Sequence, residues 1–177
     1  MSCLQTLSGL ARDCATNLGG IVAAWIANFD DVTGITVTDN KITGISTAAD
    51  AKVFKKYEFR PESGNLAKTL NVSDEGSNYV SSVLTLLFNR METTKRVEVA
   101  ALTQAETAII VKDRNGIFWY LGKEQGVRPS AGDGQTGTAL GDRNGYQLQL
   151  EDRSSTWPFE ILVGNGGVNL EDIADRV

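Results

Sequence analysis

Hydrophobic positions in this chain alternate with period two more often than they recur at helical spacing. The clearest stretch is Thr107–Gly122. There, two runs of β-branched and aromatic residues, Ala108–Asp113 and Gly116–Leu121, flank Asp113-Arg114-Asn115-Gly116. That pattern predicts an antiparallel hairpin, with Asn115-Gly116 suited to a two-residue type I′ turn because both tolerate positive φ. The same tetrad recurs at Asp142-Arg143-Asn144-Gly145, ahead of the strand-like run Tyr146–Glu151.

Upstream, Ile21–Phe29 sets Trp25, Ala27 and Phe29 on one face and Ala24, Ile26 and Asn28 on the other. This predicts a strand. A short buried helix fits the same run, and periodicity alone does not separate the two. Gly34–Thr38 and Lys41–Ile45 predict a small hairpin about Asp39-Asn40, and Val53–Arg60 a strand ended by Pro61. Tyr79–Met91 carries Val83, Thr85 and Leu87 on one face and Leu84, Leu86 and Phe88 on the other, so a strand covered on both faces is expected. Between these strands, Pro61–Asn78 is long and polar, with Leu66, Leu70 and Val72 as its apolar residues. It is expected to form an extended loop arm, strand-compatible over Ala67–Val72. The helix candidate is Glu92–Leu102, capped by Thr93 or Thr94, with Val97, Ala100 and Ala101 toward the core and Lys95, Arg96 and Glu98 toward water. The remaining expectations are an irregular lead-in over Met1–Asn17 and small-residue loops at Ser46–Ala51 and Gly122–Gly137. Strands are expected at Thr138–Leu140 and Trp157–Val163, then a Gly164–Gly167 hinge and an acidic tail Val168–Val177. The fold class is therefore mainly β (α+β), an antiparallel β-sandwich or barrel with one packed helix. One domain is expected over residues 1–163, followed by the hinge and tail over 164–177.

Composition changes the picture by exclusion. The chain has 177 residues, a net charge of −5 and no histidine. An acidic chain lacks the clustered Lys and Arg that neutralise phosphates, which argues against gripping nucleic acid through a basic surface. Without histidine, the commonest general base, the commonest zinc ligand and every Ser-His or Cys-His nucleophile are missing. Cys3 and Cys14 are too few for a structural zinc site. A Cys3–Cys14 disulfide is one reading and two free, partly buried thiols the favoured one. No basic region followed by an apolar core opens the chain, and no apolar run approaches the roughly 20 residues of a membrane helix. A soluble, cytoplasmically made protein is expected.

Candidate chemistry does not survive comparison with plain structural readings. Gly132-Asp133-Gly134-Gln135-Thr136-Gly137 lacks the Gly-Lys-Ser/Thr ending of a phosphate loop and reads as a surface loop. Asp30-Asp31 and Asp74-Glu75 lack the alternating spacing of a calcium loop. Phe118, Trp119 and Tyr120 on one strand fit core packing on one face with a single exposed aromatic on the other. No catalytic residue, cofactor or metal is expected.

The succession of strands, polar arm, very apolar strand, helix, hairpin and closing strands resembles the tail-tube fold of bacteriophage tails and of the type VI secretion tube. Several phrases are similar to a structural protein of crAss-like phages of gut Bacteroidetes. They are Cys14–Ile21 with Trp25–Val32, Tyr57-Glu58-Phe59-Arg60-Pro61, Asn78–Met91 into Lys95-Arg96, Val111–Gly122 and Gly137–Tyr146. The resemblance covers roughly residues 1–163. It implies a virion protein of the tail or head–tail connector, forming a homo-oligomeric ring, 6- or 12-fold, with other tail, ring, portal or adaptor proteins as neighbours. Genome DNA would pass through the lumen without specific binding, and no membrane is involved. Arg60, Leu66, Leu70 and Val72 are the candidate inter-subunit arm residues. The alternative is a monomeric β-rich module binding carbohydrate or peptide through Trp119 or Trp157. An enzyme with an unrecognised carboxylate or Ser/Lys site is the third reading.

Overall fold

The structure is a computed structural model and describes residues 9–10, 14–48 and 52–175. In chain order the strands are β1 (Ile21–Asn28), β2 (Val32–Thr38), β3 (Lys41–Thr47), β4 (Lys55–Tyr57), β5 (Gly64–Val72) and β6 (Asn78–Asn89). Helix α1 (Thr93–Leu102) follows, then β7 (Thr107–Asp113), β8 (Phe118–Leu121), β9 (Arg128–Gln135), β10 (Gly145–Ser154), β11 (Glu160–Ile161) and a single turn, α2 (Leu170–Ile173). They form two sheets, ordered β2-β3-β11-β8-β7-β1-β4 and β5-β6-β10-β9. Pairing is antiparallel throughout except between β11 and β3.

Central strands β1 and β7 are apolar over Ala23–Ala27 and Ala108–Val111 because both of their faces are buried there. Ala24 and Ile26 of β1 and Ile109 and Val111 of β7 meet Leu84, Leu86, Leu148 and Leu150 of the four-stranded sheet. Ala23, Trp25, Ala27, Ala108 and Ile110 point the other way, into a second cluster. A bulge at Val22, where β1 advances two residues against one on β7, turns Ile21 into the first cluster and leaves Val22 exposed.

The second cluster is closed by the C-terminal segment. Val168, Leu170, Ile173 and Ala174 are buried there beside Phe54, Ile42 and Tyr120. Backbone bonds lock the segment in place, from the Phe54 N–H to the Ile173 carbonyl (3.1 Å) and from the Asp175 N–H to the Phe54 carbonyl (2.8 Å). The expected acidic tail therefore contributes to the core over residues 168–174, while Gly164, Asn165 and Gly166 of the expected hinge are exposed. The tail's few apolar residues carry the packing, while Glu171 and Asp172 face water.

The turns depart from expectation in an instructive way. The two-residue type I′ geometry is found at Asp39-Asn40 (φ +50° and +60°), where Thr38 pairs Lys41. At the β7–β8 hairpin only Gly116 has positive φ, and the Asp113 N–H bonds the Ile117 carbonyl at 2.9 Å, so the loop has three residues. The Asp113 carboxylate selects this form by accepting the N–H groups of both Asn115 and Ile117, each at 2.9 Å. The second tetrad closes no tight turn. It ends a longer β9–β10 connection, where Asn144 accepts the Arg90 N–H (2.7 Å) on its carbonyl and the Met91 N–H (3.0 Å) on its side chain.

Four further expectations are corrected. Thr138–Leu140 is a bend and turn with Leu140 fully exposed, while β9 lies inside the stretch read as the Gly122–Gly137 loop. The strands expected over Val53–Arg60 and Trp157–Val163 shrink to β4 and β11. Helix α1 presents a different face, with Val97, Ala100 and Ala101 exposed and Leu102 buried, Val99 being half-buried. Its N-cap is Glu92, without a side-chain capping bond; Lys95 turns back to the Asn89 carbonyl (2.6 Å) and Glu98 to the Tyr57 hydroxyl. Val97→Asp should consequently leave the urea midpoint nearly unchanged, whereas Leu102→Asp, burying an unpaired charge, should lower it sharply. Finally, only the Leu84/Leu86 face of β6 is covered; Val83, Thr85 and Leu87 stay half-exposed on the open side.

One buried carboxyl gives the fold a pH dependence. Asp152 and Ser82 oppose each other on β10 and β6, both buried, with Asp152 Oδ1 and Ser82 Oγ lacking partners among the described residues. Burial pushes the Asp152 carboxyl above its ordinary range, partly offset by the Gly122 N–H and reinforced by Glu124. A raised folded-state value means this contribution to stability is full below the unfolded value of about 4 and is lost as pH rises through the folded value. Asp152→Asn should therefore raise Tm at pH 7 and little at pH 3.5; a larger gain at pH 3.5 would refute the assignment.

Candidate assembly surface

Among the described residues, the four-stranded sheet ends on both sides in a long unpaired rim. Among those residues β5 pairs only with β6, over nine residues, and β9 only with β10. Each leaves one row of backbone N–H and C=O groups outward, a template for another strand. Because every pair in this sheet is antiparallel, β5 and β9 run in opposite directions. Neither rim is blunted along its full length. Pro129 and a bulge at Ser130 interrupt the start of β9, after which Ala131–Gln135 is regular. Lys68 of β5 is turned inward, its ammonium 3.2 Å from the centre of the Trp119 ring.

The open face of this sheet is polar and internally neutralised. Gln147 and Gln149 stand beside Thr85 and Leu87, and the charges are paired with one another. Arg153 bonds Glu151 at 3.0 Å and Arg143 bonds Asp133. The Arg153 guanidinium, joined by the Ser81 hydroxyl at 2.6 Å, holds the Glu151 carboxyl below the usual range.

The expected arm residues are separated by the structure. Their segment is a regular edge strand, β5, since an edge strand needs one hydrogen-bonded neighbour and only partial burial, which a polar sequence supplies. Leu66 belongs to the inter-sheet core. Leu70 and Val72 share its face yet are 50% and 69% exposed, toward the Ser73–Ser77 tip. Arg60 is exposed in the turn before β5. The outward backbone rows of β5 and β9 were missed by side-chain patterning, which does not register them.

Compared with protein-family models, curated proteins and solved structures, the chain matches none.

The other candidates lead elsewhere. Trp119 is half-buried, with its ring under Lys68 and its indole N–H on Asp113 (3.2 Å), so its face is no open platform. Burial lowers the Lys68 ammonium to about 8, against the pull of Asp113. Trp157 is exposed. Cys14 is exposed as well, contrary to the partly buried expectation, and Cys3 lies outside the described residues. The Gly132–Gly137 fragment is largely β9, where a Cβ at Gly134 would meet the Tyr146 ring at 2.9 Å, so its glycine serves packing. Among the described residues no cluster of His, Cys, Asp and Glu is arranged to hold a metal, and no helix is long and apolar enough to cross a membrane.

Proposed function

We propose that this chain is a non-enzymatic structural subunit whose four-stranded sheets join edge to edge into a ring of the tail-tube type. The observation that carries this is the pair of free rims, β5 and β9, running in opposite directions on one sheet. Rotation about an axis along the strands brings β9 of one copy beside β5 of the next in antiparallel register. Repetition closes a barrel with no exposed edge. Six copies give a barrel wider than the 16–18 strands that already leave an aqueous channel. The neutral, amide-rich open face then lines the lumen and offers a passing DNA duplex no basic surface to bind. The resemblance of the sequence to crAss-like phage structural proteins supports a place in the virion, at the tail or head–tail connector, with portal, adaptor or other ring proteins above and below.

Negative-stain microscopy with a solution mass measurement tests this. Rings of one symmetry, 6- or 12-fold, are expected at micromolar concentration. A strict monomer at all concentrations and salt conditions would count for the ligand-binding module instead.

A further inference from the structure

We infer that the cavity where the turn before β5, the end of β6 and the β9–β10 connection converge binds a small oxyanion carrying phosphoryl or carboxylate groups. This goes beyond the assembly reading and does not depend on it. The cavity has a volume of about 460 Å³, and Arg60, Asn89, Arg90, Asp142, Arg143 and Asn144 line it. Its cations differ in how far they are already satisfied. Arg143 is committed, bonding Asp133 and the Gln147 side chain (2.5 Å), and forms a fixed wall. The guanidinium groups of Arg60 and Arg90 have neither an ion-pair nor a hydrogen-bond partner among the described residues.

The nearby acids are engaged elsewhere. Asp142 accepts the N–H groups of Ala139 (2.7 Å) and Thr138 (2.8 Å), which hold its carboxyl below the usual range. Glu92 is paired with Lys95 at 2.9 Å, and the Arg90 charge adds only a smaller pull on the same carboxyl. Arg90 also sits at φ +63°, a conformation that suits glycine, and Asn144 pins it there through the backbone of Arg90 and Met91. Two unpaired planar forks beside the amides of Asn89 and Asn144 match an oxyanion, whose paired oxygens accept guanidinium bonds two at a time.

Isothermal titration of the full chain at low ionic strength, with pyrophosphate and separately with citrate, tests the site. Saturable one-to-one binding of at least one probe is expected. Arg60→Gln and Arg90→Gly should each weaken it about tenfold or more, the scale of a lost charge-assisted hydrogen bond. Arg90→Gly should keep or raise Tm, because glycine suits that backbone, so lost binding would not reflect unfolding. Binding of pyrophosphate alone assigns the phosphoryl class, citrate alone the carboxylate class, and both together a site selecting charge. No saturable binding of either probe, or affinity unchanged in the double variant, overturns the inference.

Discussion

Removal of residues 168–177 is expected to unfold the protein at room temperature or leave it a loosely packed β-rich globule. Val168, Leu170 and Ile173 are nearly or fully buried against the outer face of the seven-stranded sheet. Burial of three such side chains contributes roughly 5–8 kcal/mol, which is the size of a whole domain's net stability. Their loss would also uncover Phe54, Ile42 and Tyr120 and delete the two backbone bonds that hold Phe54. Urea unfolding followed by circular dichroism, with dye binding to exposed apolar surface, measures the effect. The single change Ile173→Ala gives a graded version, costing about 2–4 kcal/mol if the site does not collapse. A truncated chain with the native midpoint would show that the second cluster is closed by something other than this segment.

Ala67→Lys combined with Ala131→Lys is expected to abolish ring formation while leaving the subunit folded. Both alanines are exposed on the open side of the rims, Ala67 on β5 and Ala131 on β9. Within one subunit they lie on opposite edges of the sheet, so exposed substitutions there should change its stability by only about 0.5 kcal/mol. Across the proposed junction they place like charges on adjoining strands, which is unfavourable for each pair and is repeated at every junction of the ring. The companion variant Ala67→Glu with Ala131→Lys presents opposite charges across the same junction and should retain rings. Microscopy and mass measurement of both variants at low salt provide the comparison. If the double-lysine variant formed rings as readily as the wild type, the β5–β9 junction would have to be abandoned. Loss of rings in both variants would equally count against a junction governed by charge across these rims.

Elements of this fold differ in how far their local sequence specifies them. Strand β1, the β2–β3 and β7–β8 hairpins, β6 and helix α1 were each legible, because an alternating or helical run declares itself within about ten residues. The loop geometry of the β7–β8 hairpin was not. Asn115-Gly116 permits a two-residue turn, but the Asp113 carboxylate makes two bonds to the turn backbone and stabilises a three-residue one. The orientation of α1 was misread because its apolar residues are spread around the helix, and the Leu102 packing in the inter-sheet cluster together with the Glu98 bond to Tyr57, distant in sequence, decides which side turns inward.

Sequence alone thus determined the mainly β class, the positions of most strands and the absence of histidine, all properties of local pattern or composition. Tertiary structure alone decided that residues 168–174 belong to the core, that a polar segment is the rim strand β5, and that Arg60, Arg90 and Arg143 meet around one cavity. Each of these depends on a partner far along the chain. Burial, strand pairing and charge clustering are relations between distant residues, whereas periodicity records only what neighbouring residues share.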